Sequence, residues 1–95
     1  MTMRRGFSEE EARVIGLGLG VDWRHSAFDI EQFRTGLDVE LEHGRRDPDT
    51  DVTHDDPILT GKIALAHLKE LPDYYTRLAR MERALVYTDI EGVVA

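Results

Sequence analysis

The stretch DPILTGKIALAHLKELPDYYTRLARMERALVY, residues 56–87, decides the fold. It reads as one complete helix followed by the opening of another. Asp56 offers a side-chain oxygen to the free N–H groups of a helix start. Pro57 takes the first helical position, where a missing N–H costs nothing. The helix ends near Leu71, because Pro72 cannot continue it without strain. A fourth helix then starts around Pro72–Asp73 and reaches roughly Tyr87. Working outward, Arg45 to Asp56 is an acidic loop without apolar periodicity. Before it, Asp29 caps a second helix that should run to about His43, ahead of Gly44. A linker carries Trp23 and Phe28, which are expected to plug the core. The first helix starts at Ser8, with Glu11 completing a capping box. Its Ala12, Ile15 and Leu19 recur at helical spacing until Gly18 and Gly20 offer a stop.

The expected fold class is therefore all-α: a small, four-helix, bundle-like single domain over residues 1–95. The second to fourth helices form its core through Ile30, Phe33, Leu37, Leu41, Ala64, Leu68, Leu71, Leu78 and Leu85. Residues 1–7 and 88–95 are expected to be loose ends.

Composition narrows the function. The chain has 95 residues, 41% of them hydrophobic and 33% charged, enough apolar material for one modest core. A net charge of −7 disfavours nucleic acid, which requires a concentrated basic surface. The absence of cysteine excludes disulfides, thiolate zinc sites, iron–sulfur clusters and a cysteine nucleophile. No apolar run is long enough to span a membrane, and Met1 to Phe7 has no apolar segment of a secretory leader. A cytoplasmic location is the resulting expectation. The third helix is apolar nearly all round, more than one fold layer needs, so a homodimer or larger assembly is expected.

A helical wheel shows where the ionisable residues point. In the second helix Glu31, Arg34, Thr35, Asp38 and Glu42 form the wet side. Phe33, Gly36 and Leu37 lie opposite, and Glu40 falls among them. His43 sits one turn on from Glu40, at the edge of the same face. In the third helix Lys62 and Lys69 mark the solvent side. His67 lies roughly 150° away, beside Ala64 and Leu71, and Glu70 flanks that face. In the fourth, Asp73, Thr76, Arg77, Arg80 and Arg83 are outward. Leu78, Glu82 and Leu85 lie opposite, with Tyr75 bordering them. Three consecutive helices thus aim an ionisable residue at the core: Glu40, His67 and Glu82.

A lone buried charge costs several kcal/mol, so such groups must be paired, hydrogen-bonded or bound to metal. Glu40-x-x-His43 and His67-x-x-Glu70 each set a carboxylate and an imidazole one turn apart, a spacing also found in helical di-iron and di-manganese centres. One reading is a divalent-metal site for Fe, Mn or Zn, with Glu40, His67 and Glu82 as first ligands, His43 and Glu70 as second, and Tyr75 as an outer donor. The other is a structural hydrogen-bond network in a non-catalytic interaction or regulatory module. If the second and third helices were antiparallel neighbours, Glu40 would meet Pro57 to Gly61. A loop able to span roughly 40 Å also permits the parallel arrangement that brings Glu40 level with His67.

Other motifs carry less. Asp47, Asp49, Asp51 and Asp55 begin like a calcium loop. Val52 then replaces the required Gly and Ile58 the required Glu, which leaves Asx turns as the plainer reading. Gly16, Gly18 and Gly20 close a helix and do not follow a strand, so they do not form a nucleotide loop. No Ser or Thr has a His/Asp set suited to hydrolysis. Tyr74 beside Arg77, Arg80 and Arg83 forms a candidate protein-contact patch.

The strings GLDVELEHG (36–44), DPDTDVTHDDPILTGKIALAHLKELPDYY (47–75) and RLARME (77–82) resemble a family of small bacterial and phage proteins known as a domain of unknown function. The resemblance runs from about Phe7 to Glu82. It implies a small stand-alone protein and brings no activity, ligand or site residue with it.

Overall fold

The computed structural model describes residues 6–90. Caps set the helix starts where the sequence places them. α1 (Glu9–Gly18) opens on a reciprocal box: the Glu11 N–H donates to the Ser8 hydroxyl at 3.0 Å, and the Ser8 N–H donates to the Glu11 carboxylate at 2.9 Å. α2 (Ile30–Arg46) starts at Asp29, which accepts from the Gln32 N–H. α3 (Pro57–Glu70) starts at Asp56, which accepts from the N–H groups of Ile58 and Leu59 at 2.8 and 3.1 Å. α4 (Tyr74–Ile90) follows the corner at Pro72. The described residues contain four helices and no strand, so the all-α expectation holds.

α2 passes through Gly44 to Arg46 instead of stopping at His43. Gly44 serves close approach and not termination. It is buried, and a Cβ there would lie 2.8 Å from Asp51 Oδ1 and 3.1 Å from Thr53 Oγ1. The loop folds back onto the helix at that point. Asp51 accepts from the backbone N–H groups of Thr53 and His54, and Asp47 from that of Asp49. These are the Asx turns of the plainer reading.

Ala12, Phe33, Leu37, Ala64 and Leu68 are fully buried, and Tyr75 is 2% exposed. Trp23 and Phe28 do plug this core, in a ring cluster with Phe33 at 5.8–6.4 Å centroid spacing. Trp23 Nε1 is satisfied by the Arg13 carbonyl at 3.0 Å. Phe7 is anchored by its N–H to Asp38 at 2.7 Å. Residues 1–5 and 91–95, the remainder of the expected loose ends, lie outside the described residues, whereas 88–90 continue α4.

Leu85 corrects the expected core: it is 56% exposed. α4 rests mainly on α2 through its first turns and then leaves the body, so every side chain from Ala79 to Leu85 is exposed. α2 and α3 meet through three pairs. Gly61 lies under Leu37, Ala64 faces Gly36, and His67 reaches Glu40. Glu40 is therefore level with His67, the arrangement required for the two to act together.

Gly36 makes room for this. A Cβ there would fall 2.5 Å from Tyr75 Cε2 and 3.0 Å from Ala64 Cβ. Gly36→Ala is expected to lower the unfolding free energy by about 1–3 kcal/mol through overpacking. Gly18→Ala, whose Cβ meets nothing within 4 Å, should leave it unchanged or raise it by up to about 1 kcal/mol. Urea titrations of both variants check the contrast.

Candidate functional site

The site is assembled from the inner faces of three helices. α2 brings Glu40, which is only 7% exposed. α4 brings Tyr75 in its first turn, and the Tyr75 hydroxyl donates to Glu40 Oε2 at 2.8 Å. α3 brings His67, whose Nε2 stands 3.6 Å from the same oxygen. One turn along α2, His43 places Nδ1 at 3.6 Å from Glu40 Oε1. Both imidazole distances exceed a hydrogen bond, so each ring faces the carboxylate without bonding it.

The rings are themselves positioned. Tyr74 stacks on His67 with centroids 4.2 Å apart and planes within 1° of parallel. Tyr75 meets His67 edge-on at 6.1 Å. Burial holds the Tyr75 hydroxyl well above its ordinary ionisation range, and the hydrogen bond to Glu40 and the charge on Glu40 push it further the same way.

Above the carboxylate a pocket encloses about 470 Å³. Val39, Ile63, Tyr74 and Leu78 give it apolar walls. Glu40, Glu42, His43, Arg46, His67 and Glu82 give it polar ones. Arg46 at the rim pairs with Glu42 at 3.6 Å.

Of the residues singled out in the sequence, Glu40, His43, His67 and Tyr75 converge. Glu82 lines the pocket but is exposed, not turned into the core as the helical wheel placed it, because α4 has already left the body there. Glu70 is exposed and does not line the pocket. Among the described residues no group of three or more His, Asp or Glu side chains is close enough to hold a metal ion.

The sequence offers Tyr75 either as an outer donor to a metal site or as a member of a Glu–His–Tyr network, and in the structure it is the direct partner of Glu40 and the largest fully buried side chain. The stacking of Tyr74 on His67 is not foreseen. Its signal is the helix start at Pro72, which commits two consecutive aromatics to the turn nearest α2. Arg46 was missed as well, although it lies one turn beyond Glu42 and His43 on the same helix.

The fold and the site define a small helical protein organised around a buried carboxylate flanked by two imidazoles. Within that class, the chain belongs to the family described as Protein of unknown function (DUF5661), whose model matches residues 12–84 and so spans every residue of the site. No curated protein and no solved structure matches the chain.

Tyr75→Phe leaves Glu40 without its donor in a dry place, and a loss of about 1–3 kcal/mol is expected at neutral pH. The folded state holds the Tyr75 proton more tightly than the unfolded chain does. The stability this contributes is complete below the unfolded value of about 10 and falls as the pH rises beyond it. Denaturant midpoints measured from pH 8 to 11 should therefore decline less steeply in Tyr75→Phe than in the unaltered protein.

Proposed function

We propose that the pocket binds a divalent cation, iron(II), manganese or zinc, through Glu40, His67 and His43, with Glu82 as a further candidate ligand on the outer wall. One observation carries this reading. Two imidazole nitrogens face different oxygens of one buried carboxylate, each at 3.6 Å. Ligands sharing a tetrahedral ion with bonds of about 2.1 Å stand roughly 3.4 Å apart, close to each of these two nitrogen–oxygen separations.

The surroundings support it. Three carboxylates and one guanidinium line the pocket, and the guanidinium is already turned to Glu42. The local balance is therefore negative and favours a cation. Tyr75 holds the carboxylate and Tyr74 holds the His67 ring, the outer contacts that orient metal ligands.

A second reading has its own support in the buried 2.8 Å bond between Tyr75 and Glu40. In it the cluster fixes helix register in a non-catalytic interaction or regulatory module.

Thermal melts with each cation separate the two. Binding to the folded state alone, at 100 times the dissociation constant, adds about 2.7 kcal/mol, a rise on the order of 10 °C for a chain of this size. Glu40→Gln should abolish that rise, and Glu70→Gln, outside the pocket, should retain it. Under the network reading no cation raises the midpoint, and Glu40→Gln costs about 1–3 kcal/mol in metal-free buffer.

A further inference from the structure

The pocket beside Glu40 offers more than an ion requires. Its volume of about 470 Å³ falls in the range of small-molecule sites. Val39, Ile63 and Leu78 line it without any part in holding a metal. Ile63 stands one turn before His67 on α3, and Leu78 one turn before Glu82 on α4, so apolar and polar lining run side by side.

Charge selects what would fit. Glu40 is only 7% exposed. Its Oε2 is taken by the Tyr75 hydroxyl, but Oε1 accepts no hydrogen bond, with His43 Nδ1 standing off at 3.6 Å. Glu82 is exposed on the outer wall and has no ion pair among the described residues. The Arg46 guanidinium is turned to Glu42 and leaves these two carboxylates unanswered. A neutral hydrocarbon in the pocket would strip water from Oε1 without replacing it, and an anion would be repelled.

We infer that the pocket takes an alkylammonium ion, its charged head on Glu40 Oε1 in the field of Glu82, its hydrocarbon chain along Val39, Ile63 and Leu78. An aliphatic amine keeps its proton at neutral pH and brings three N–H donors, one of which satisfies Oε1. Neither a bare metal ion nor a neutral ligand uses both the carboxylates and the apolar walls. This occupant does not depend on the divalent-cation reading. Both need the Glu40 carboxylate, so each would displace the other.

Isothermal titration calorimetry of the full chain, in metal-free buffer at neutral pH, provides the test. n-Pentylamine should bind saturably, at one site per chain. Methylamine has the charge without the chain, and 1-pentanol the chain without the charge. Each should bind about tenfold more weakly or not at all, and pentanoate should not bind. Glu40→Gln should weaken n-pentylamine about tenfold or more and Glu82→Gln about threefold or more. Circular dichroism checks that both stay helical, and Glu82→Gln, on an exposed side chain, carries the test if Glu40→Gln unfolds. Glu70→Gln, outside the pocket, should bind as the unaltered protein does. Nα-acetyl-lysine methylamide, titrated alongside, distinguishes the source: tighter binding than n-pentylamine assigns the pocket to a lysine side chain, weaker binding to a free amine. No saturable binding of n-pentylamine overturns the inference. So does equal binding of 1-pentanol or methylamine, or binding indifferent to both pocket variants. A chain that takes up n-pentylamine and no divalent cation sinks the metal reading alone, and the reverse pattern sinks this one alone.

Discussion

The hydrogen bond from Tyr75 to Glu40, 2.8 Å long and out of reach of water, is the contact on which the rest of this structure turns. A carboxylate buried on the face of α2 would be a liability without a donor, since an uncompensated charge in the interior costs several kcal/mol. The donor comes from α4, thirty-five residues further along the chain. Meeting the polar requirement of α2 therefore fixes where α4 starts and which way it sets out. Gly36 is small because the Tyr75 ring from α4 and Ala64 from α3 both close on it. The Gln32 side chain adds a second tie across the same seam, donating to Thr76 Oγ1 at 2.6 Å.

Local chemistry made much of this legible. Ser8, Asp29 and Asp56 each announce a helix start, and each caps the helix it announces. Caps are readable because they are short-range: one side chain and the next three N–H groups decide them. The buried setting of Glu40 was legible for a similar reason, since α2 is long and strongly two-faced. Glu82 and Leu85 were misplaced because a helical wheel gives the direction of a side chain and not whether a neighbour waits there. Both of these side chains are exposed on α4. Gly44 was misread because a glycine that ends a helix and a glycine that admits a loop look alike in sequence. Only the contact with Asp51 and Thr53 tells them apart. The choice between Glu40 meeting His67 and Glu40 meeting the Pro57 end was beyond any local signal, because it depends on how a loop returns.

Outside the site, the charged residues mostly serve geometry. Arg34 grips Glu31 through two hydrogen bonds and also reaches Asp38, whose other oxygen holds the Phe7 N–H. The Arg34 guanidinium draws the Glu31 carboxyl below its usual range, chiefly through that hydrogen bonding. This chain of contacts orients the entry into α1 across the wet face of α2. The acidic loop behaves likewise. Asp47 and Asp51 are spent on backbone N–H groups and Asp55 on Arg45 of α2, at 2.9 Å. Three of the four carboxylates that give the loop the look of a cation site in sequence are thus occupied.

The attachment of α4 also has a mechanical meaning. Its ties to the body, Tyr74, Tyr75, Thr76 and Leu78, are gathered in its first turns, and the side chains from Ala79 to Leu85 are exposed. From Leu78 to Ile90 a helix extends roughly 18 Å, so a tilt of about 10° at the base carries the far end about 3 Å. α4 is in this sense a pointer pivoted on the carboxylate. A small tilt at this base is, by lever geometry alone, a larger displacement at the far end.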